Sequence, residues 1–194
     1  MQRFPLFQGH LDLAQLFWKK ILQPGDWAID ATCGNGQDTA KLAQIIGSAG
    51  GIIAIDLQKE AIASTQNRLR NSQACPIHFF CQCHSSFPSF CLEKPIRLIV
   101  YNLGYLPGGN KQLTTQTATT LASIQTALTL LQPGGMVSIT CYPGHAEGAC
   151  EQAALIDMVN QLDPHLWSCS HHVWENRKKS PSLLLLQKNN FNPF

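Results

Sequence analysis

An apolar run, Arg97-Leu98-Ile99-Val100-Tyr101, passes directly into Asn102-Leu103-Gly104-Tyr105-Leu106-Pro107. The side-chain oxygen of Asn102 and the backbone carbonyl of Leu103 can both accept hydrogen bonds from a single NH2 group, which aims its lone pair along one line of attack. Tyr105 can flatten its ring against a planar substrate. The chemistry implied by the turn Asn102–Tyr105 is nucleophilic attack by an amine on a group held beside it.

A second motif has the composition of a ligand cradle. Asp30-Ala31-Thr32-Cys33-Gly34-Asn35-Gly36-Gln37-Asp38-Thr39 follows the apolar Trp27-Ala28-Ile29 and opens a helical stretch. Small residues at Gly34 and Gly36 let the backbone approach a ligand closely, and a helix N-terminus receives a carboxylate or phosphate. Asp56 ends the next apolar run, the position from which an acidic residue binds ribose hydroxyls. A dinucleotide fingerprint requires a third small residue where this chain has Thr39, and a pyrophosphate leaves the acidic Asp30 unexplained. S-adenosyl-L-methionine explains all of it, with an ammonium for Asp30, a carboxylate for the helix end and a ribose for Asp56. Thr32 and Thr39 belong to the same turn. The methyl donor is therefore preferred to a nicotinamide cofactor.

The elements needed to position these motifs are legible as alternating short apolar runs and helical stretches, the pattern of a parallel sheet covered on both faces. Strands are expected near Trp27–Ala31, Ile52–Asp56, Ile77–Cys81, Leu98–Asn102, Met136–Cys141, Trp167–Trp174 and Leu183–Lys188. Helices are expected over Leu11–Leu22, Gln37–Ile46, Lys59–Asn71, Thr115–Leu131 and Ala146–Leu162, with Pro24, Gly47, Pro133 and Pro164 as terminators. Gly104 to Thr114 is the one long irregular link and is expected to be a functional loop. The expected fold class is α/β: a Rossmann-like, seven-stranded, mostly parallel sheet in a single domain spanning residues 1–194.

Composition bounds the remaining choices. At 194 residues and 44% hydrophobic the chain suffices for one core. A charged fraction of 13% and a net charge of +2 give no global basic field, so any nucleic-acid contact is local. Gln8, His10 and Asp12 interrupt the apolar N-terminal stretch, and the eight cysteines then imply free thiols in a reducing cytoplasm. The run Leu183–Leu186 is far short of the roughly 20 apolar residues that span a bilayer.

Three segments together resemble one family. Asp30–Thr39, the loop Asn102-Leu-Gly-Tyr-Leu-Pro-Gly-Gly-Asn-Lys111, and Tyr142-Pro-Gly-His-Ala-Glu-Gly148 are similar to those of the bacterial rRNA methylase family, which includes the tRNA 5-aminomethyl-2-thiouridine methyltransferases. The resemblance runs from about His10 to Lys188. It implies a class I S-adenosylmethionine enzyme that methylates the aminomethyl nitrogen of a wobble uridine, with the anticodon region of tRNA as partner and a homodimer as assembly. By position it puts Asn35, Asp38, Asp56, Gln58, Cys83 and His84 around the cofactor and Asn102, Leu103, Gly104 and Tyr105 beside the methyl group. One departure stands out: Gln82-Cys83-His84 carries a thiol where a hydroxyl is expected after the third strand.

The acceptor's chemistry adds further candidates. A primary ammonium has no lone pair, so the neutral amine must be bound or generated. His145 is the candidate proton acceptor or substrate-positioning group, with His10 behind it. Lys111 and the run Arg177-Lys178-Lys179, near Trp174 and Lys188, are the candidate phosphate contacts, with Tyr105 or Tyr142 stacking on a splayed base. Cys75, Cys81, Cys83 and Cys91 with His78 and His84 are locally dense but lack repeated Cys-x-x-Cys pairs, so no metal is expected; Cys141, Cys150 and Cys169 are too scattered to change that. Two other readings share the fold: a methylase of an amino or amide group in rRNA or protein, and a non-catalytic RNA-binding or metal-binding domain.

Overall fold

The computed structural model describes residues 9–70, 75–106, 108 and 113–190. The chain opens with helix α1 (His10–Ile21), then strand β1 (Trp27–Asp30), α2 (Gln37–Ile46), β2 (Gly51–Asp56), α3 (Lys59–Leu69) and β3 (Ile77–Cys81). After a short 3-10 turn at Ser89–Glu93 come β4 (Ile96–Asn102), α4 (Thr117–Leu130), β5 (Leu131–Cys141), α5 (Ala146–Val159), β6 (Trp167–His172) and β7 (Ser182–Lys188). The seven strands form one sheet in the order β3-β2-β1-β4-β5-β7-β6. Pairs from β3 to β5 are parallel, and β7 runs antiparallel between β5 and β6. Among the described residues no helix is long and apolar enough to cross a membrane.

Strands β1, β2, β4, β5 and β7 are largely buried because both faces of the sheet are covered there, whereas the edge strand β6 is mostly exposed. Ala28, Ile52, Leu98, Val100, Met136, Leu183 and Leu185 pack against Ala14, Trp18 and Ile21 of α1 and Leu42, Ala43 and Ile46 of α2. The alternate residues, Ile29, Ile53, Ile55, Ile99, Tyr101, Val137, Ile139, Leu184 and Leu186, pack against Ile124 and Ala127 of α4 and Leu155 and Val159 of α5. Two polar bonds tie the core. Trp18 Nε1 donates to Ser138 Oγ at 3.0 Å, and the Tyr101 hydroxyl pairs with Ser123 Oγ at 2.8 Å.

All seven expected strands and five expected helices are present, and their ends differ for physical reasons. β5 begins five residues earlier, at Leu131, which pairs with Ile96 before an irregularity that resumes at Met136 opposite Leu98; Pro133 thus falls inside the strand's irregular start, not at the helix end. α4 begins at Thr117 because Thr115 is taken by Gly104, to whose carbonyl its N–H donates at 3.0 Å. α5 ends at Val159, and Asn160–Leu162 continue as single turns bonded back to Ile156, Met158 and Val159. β6 stops at His172, since the Trp174 carbonyl closes a turn by accepting from Arg177 N at 3.0 Å. The 3-10 turn was not anticipated; so short a segment carries no periodicity. Lys111 and Asn71 lie outside the described residues.

Strand order reverses between β1, which is followed by its neighbour β2, and β4, which lies on its other side. In an open α/β sheet this switch opens a crevice beyond the carboxyl ends of the two strands. Asp30 ends β1 and Asn102 ends β4, so both motifs singled out from the sequence face that crevice.

Candidate active site

The β1–α2 turn is built from backbone. Gly34 and Gly36 have φ of 50° and 75°, in the left-handed region that glycine enters without a Cβ penalty. At Gly36 a Cβ would lie 2.8 Å from Thr65 Cγ2 on α3, so this glycine lets the turn pack on α3. Thr65 Oγ1 also donates to the Gly34 carbonyl at 2.9 Å. Asp30 is completely buried. It accepts from Thr39 Oγ1 at 2.6 Å and from the Thr32 N–H at 3.4 Å. Asp30, expected from the sequence to meet the cofactor's ammonium, thus lies buried beneath the turn with its carboxylate bonded to it. Burial, followed by the nearby charge of Asp38, raises its pKa to about 7. Thr39, also fully buried, is likewise a prop of the turn.

Asp56, Gln58, Asn35, Cys83 and His84 gather on the β2–β3 side. Asp56 Oδ2 accepts from Gly34 N at 2.9 Å and Oδ1 from Gln58 N at 2.9 Å. Each carboxylate oxygen takes a second donor, and Asp56 is half-buried, so it remains able to receive ribose hydroxyls. Asn35 is steadied by Ser64 Oγ, 3.3 Å from Oδ1, and by Arg68 Nε, which donates to its carbonyl at 2.6 Å. Cys83 Sγ accepts from Ser85 Oγ at 3.2 Å. His84 is 8% exposed, its Nδ1 has no hydrogen-bond partner, and burial lowers its pKa to about 4. It is therefore a neutral imidazole with one unsatisfied buried nitrogen, a site that a polar ligand edge completes. The glycine turn, Asp56 and this orphaned nitrogen fit an adenosine-bearing cofactor.

The acceptor side is organised around Asn102. Its backbone N–H donates to Thr32 Oγ1 at 2.7 Å, and its side-chain Nδ2 donates to Asp38 Oδ2 at 2.7 Å. With the amide nitrogen committed to a carboxylate, the amide oxygen is left as the free acceptor. Asp38 therefore orients Asn102, a role the sequence did not disclose. Asp38 also takes a bond from Gln15 of α1, and burial raises its pKa. Leu103 is buried and its N–H is held by the Thr140 carbonyl at 2.9 Å. Gly104 has φ of 125°, and Tyr105, 40% exposed, bridges to Thr114 across the loop.

His145 caps α5 with its side chain. Nδ1 accepts from Gly148 N at 3.1 Å, so the neutral ring carries its proton on Nε2. That nitrogen is buried and unpartnered. It faces Gly104, where a Cβ would lie 4.0 Å from it, and the ring centroid is 6.0 Å from that of Tyr105. The tautomer makes Nε2 a donor, which suits positioning and argues against the proton-acceptor role. His10 reaches the same site from α1: its Nε2 lies 3.2 Å from the Tyr142 hydroxyl, with the two rings edge to face at 5.5 Å. Burial and the Asp38 charge push the Tyr142 phenol up to about 12. Tyr142 thus stays neutral.

The basic hairpin lies closer to this site than its sequence position suggests. A Cβ on Gly144 would be 4.0 Å from the Lys179 carbonyl, so Arg177–Lys179 border the turn that carries His145. Arg177 stacks on Trp174 at 4.7 Å. Lys188 Nζ donates to the Leu131 and Leu128 carbonyls at 2.8 and 3.5 Å and closes the end of α4. Among the described residues no group of histidine, cysteine and carboxylate side chains is arranged to hold a metal ion, and the eight cysteines are free.

Residues 52–188 match the family described as "Putative rRNA methylase", and residues 8–84 match the protein-L-isoaspartate O-methyltransferase family. A relative from Arabidopsis thaliana named tRNA (mnm(5)s(2)U34)-methyltransferase, chloroplastic, is 35% identical over 188 residues, which cover 91% of this chain and 68% of the relative. The crystal structure of a "putative rRNA-methylase" from Clostridium thermocellum superposes with a TM-score of 0.89 at 28% identity, covering 93% of this chain and 97% of that one. A "putative methyltransferase" from Streptococcus mutans, solved in complex with SAH, gives a TM-score of 0.83 at 29% identity and covers 92% and 97% of the two chains. The chain belongs to this rRNA methylase family and is an S-adenosylmethionine-dependent methyltransferase.

Proposed function

We propose that the protein methylates the primary amine of a 5-aminomethyl group on the wobble uridine of tRNA, the 2-thiouridine form included, to give 5-methylaminomethyl-uridine. The observation that carries this reading is the orientation of Asn102. One N–H of its amide is spent on Asp38, which leaves its oxygen to act beside the Leu103 carbonyl as a pair of acceptors, matched to the two N–H donors of an NH2 group where a hydroxyl has one and a carboxylate none. The name of the Arabidopsis relative supports the same acceptor.

The glycine turn, Asp56, Gln58, Asn35, Cys83 and His84 would hold the cofactor. Bound there, S-adenosylmethionine supplies an electrophilic methyl on a cationic sulfur. The substrate amine donates one N–H to Asn102 Oδ1 and the other to the Leu103 carbonyl, leaving its lone pair in line for displacement. The methyl that the cofactor would supply would pass to the amine nitrogen with the electron pair of its bond left on sulfur, and the resulting secondary ammonium would release its proton to water. Burial and a neighbouring cation both lower an amine pKa, so the pocket selects the neutral nucleophile without a dedicated base. Tyr105 stacks on the uracil ring, and His145 Nε2–H, one residue past Gly144, orders the base's rim. Arg177, Lys178 and Lys179 meet phosphates of the anticodon arm.

The test compares two tRNA pools with labelled methyl donor, one carrying a terminal aminomethyl group at the wobble uridine and one in which the same position ends in carboxymethylaminomethyl. Transfer to the first pool alone is expected. Equal transfer to both pools, or to tRNA lacking either group, overturns the reading.

A further inference from the structure

Helix α5 carries two carboxylates one turn apart, and each holds a different part of the segment that returns from the acceptor turn. Glu147 Oε1 accepts from the Thr117 N–H at 2.7 Å and from its hydroxyl at 2.8 Å, pinning the first residue of α4. Glu151 is 2% exposed and accepts from Thr115 Oγ1 at 2.9 Å and from the Thr120 hydroxyl. A threonine hydroxyl has one proton. Because Thr115 gives its proton to Glu151, its lone pair is left to receive the Gly104 N–H, at 2.8 Å. Thr115 also closes the pair from its own backbone, donating N–H to the Gly104 carbonyl at 3.0 Å.

Glu151 is an expensive choice for such a place. Burial raises its pKa; the titratable groups around it are Glu147 on its own helix, His145 at that helix's N-cap and Cys141 of β5, whose thiol is itself pushed up by burial and by the Glu151 charge. A well-packed apolar residue costs less in a core. What only an acceptor-only group can do is oblige both threonine hydroxyls to donate, and so point the Thr115 lone pair at Gly104.

We infer that Glu151 is a positioning residue for methyl transfer, acting through the Thr115 hydroxyl to fix the Gly104 amide and, with it, the Asn102–Leu103 pair that grips the nucleophile. This inference rests on the reading of Asn102–Tyr105 as the amine-binding turn. Gly104 is suited to such a bolt: at φ of 125° its backbone has no preference of its own to hold the turn.

The test uses the full chain with Thr115→Val, which deletes the hydroxyl at constant shape, Glu151→Gln, and Thr115→Ser. In Thr115→Val, kcat on aminomethyl-tRNA is expected to fall about tenfold or more while KM and the dissociation constant of S-adenosylhomocysteine stay within about threefold. Thr115→Ser is expected to recover most of that loss, and the Thr115→Val/Glu151→Gln double variant to be no slower than Thr115→Val. Hydrogen exchange supplies a readout independent of turnover. The Gly104 amide is expected to exchange about tenfold faster or more in Thr115→Val and Glu151→Gln, with Leu98, Ile99 and Val100 of β4 unchanged. Unchanged exchange at Gly104, or cofactor affinity falling in step with kcat, overturns the inference. If the unsubstituted protein transfers no methyl to aminomethyl-tRNA, the proposed acceptor is wrong, and Gly104 exchange still decides whether the relay exists.

Discussion

At the scale of single residues, the chemistry is a matter of which atoms are already committed. Asn102 offers an oxygen because Asp38 has taken its nitrogen, and His145 offers a proton because Gly148 has taken its other ring nitrogen. Asn102→Ala is therefore expected to lower kcat by about a hundredfold, the scale of a misplaced nucleophile, with affinity for S-adenosylhomocysteine held within a few-fold; unaltered kcat in steady-state assays rules out the orienting role. Asp30 yields a pH prediction. Its folded pKa of about 7 stands above the ordinary 3.8, so the folded state binds the extra proton between about pH 4 and 7, and this group's contribution to stability declines as pH rises across that window. A cation placed near Asp30 favours the carboxylate. Affinity for S-adenosylmethionine and for S-adenosylhomocysteine, which carry the same ammonium, should accordingly rise from about pH 6 to about pH 8. Calorimetry at the two pH values that finds no rise for either ligand contradicts a role for the Asp30 charge in binding.

At the scale of elements, the site is an assembly of three anchored pieces: the glycine turn seated on α3, the β4 exit bolted to α4 and α5, and α1 reaching over with Gln15 and His10. Gly36→Ala tests the first. It places a side chain at φ of 75° and 2.8 Å from Thr65. The left-handed backbone alone costs about 1–2 kcal/mol, so Tm should drop by roughly 3 °C or more; a parent-like melting curve shows that the turn is free to shift. The cofactor turn, Asp56 and the β4 exit were legible because each is contiguous in sequence and sits where a strand meets a loop. Asp38 as the partner of Asn102, Glu151 as the partner of Thr115, and His10 as the partner of Tyr142 were not, since each pair joins residues 36 to 132 positions apart and depends on side-chain direction that periodicity does not encode. The bonds of Asp30 to Thr32 and Thr39 were hidden for the related reason that an acidic residue at a strand end looks the same whether it faces a ligand or props the turn beneath it.

At the scale of the whole molecule, a net charge of +2 leaves little long-range attraction for a polyanion, so the proposed tRNA recognition would fall to local contacts beside the crevice. The affinity for tRNA should depend weakly on salt, with a log–log slope of about −2 to −4, each phosphate contact contributing about 0.7 to 0.9. Replacing Arg177, Lys178 and Lys179 together with alanine should reduce that slope by about 2 and raise the KM for tRNA, leaving the affinity for S-adenosylhomocysteine in place. A slope that does not move takes the hairpin out of the interface. The central claim is the identity of the acceptor atom, and the most direct measurement is mass analysis of nucleosides from tRNA of cells lacking this gene after incubation with the purified protein and isotopically labelled methyl donor. The account predicts label in 5-methylaminomethyl-uridine or its 2-thio form, with fragmentation placing it on the side-chain nitrogen. Label on a ring position, on ribose or in another nucleoside contradicts it.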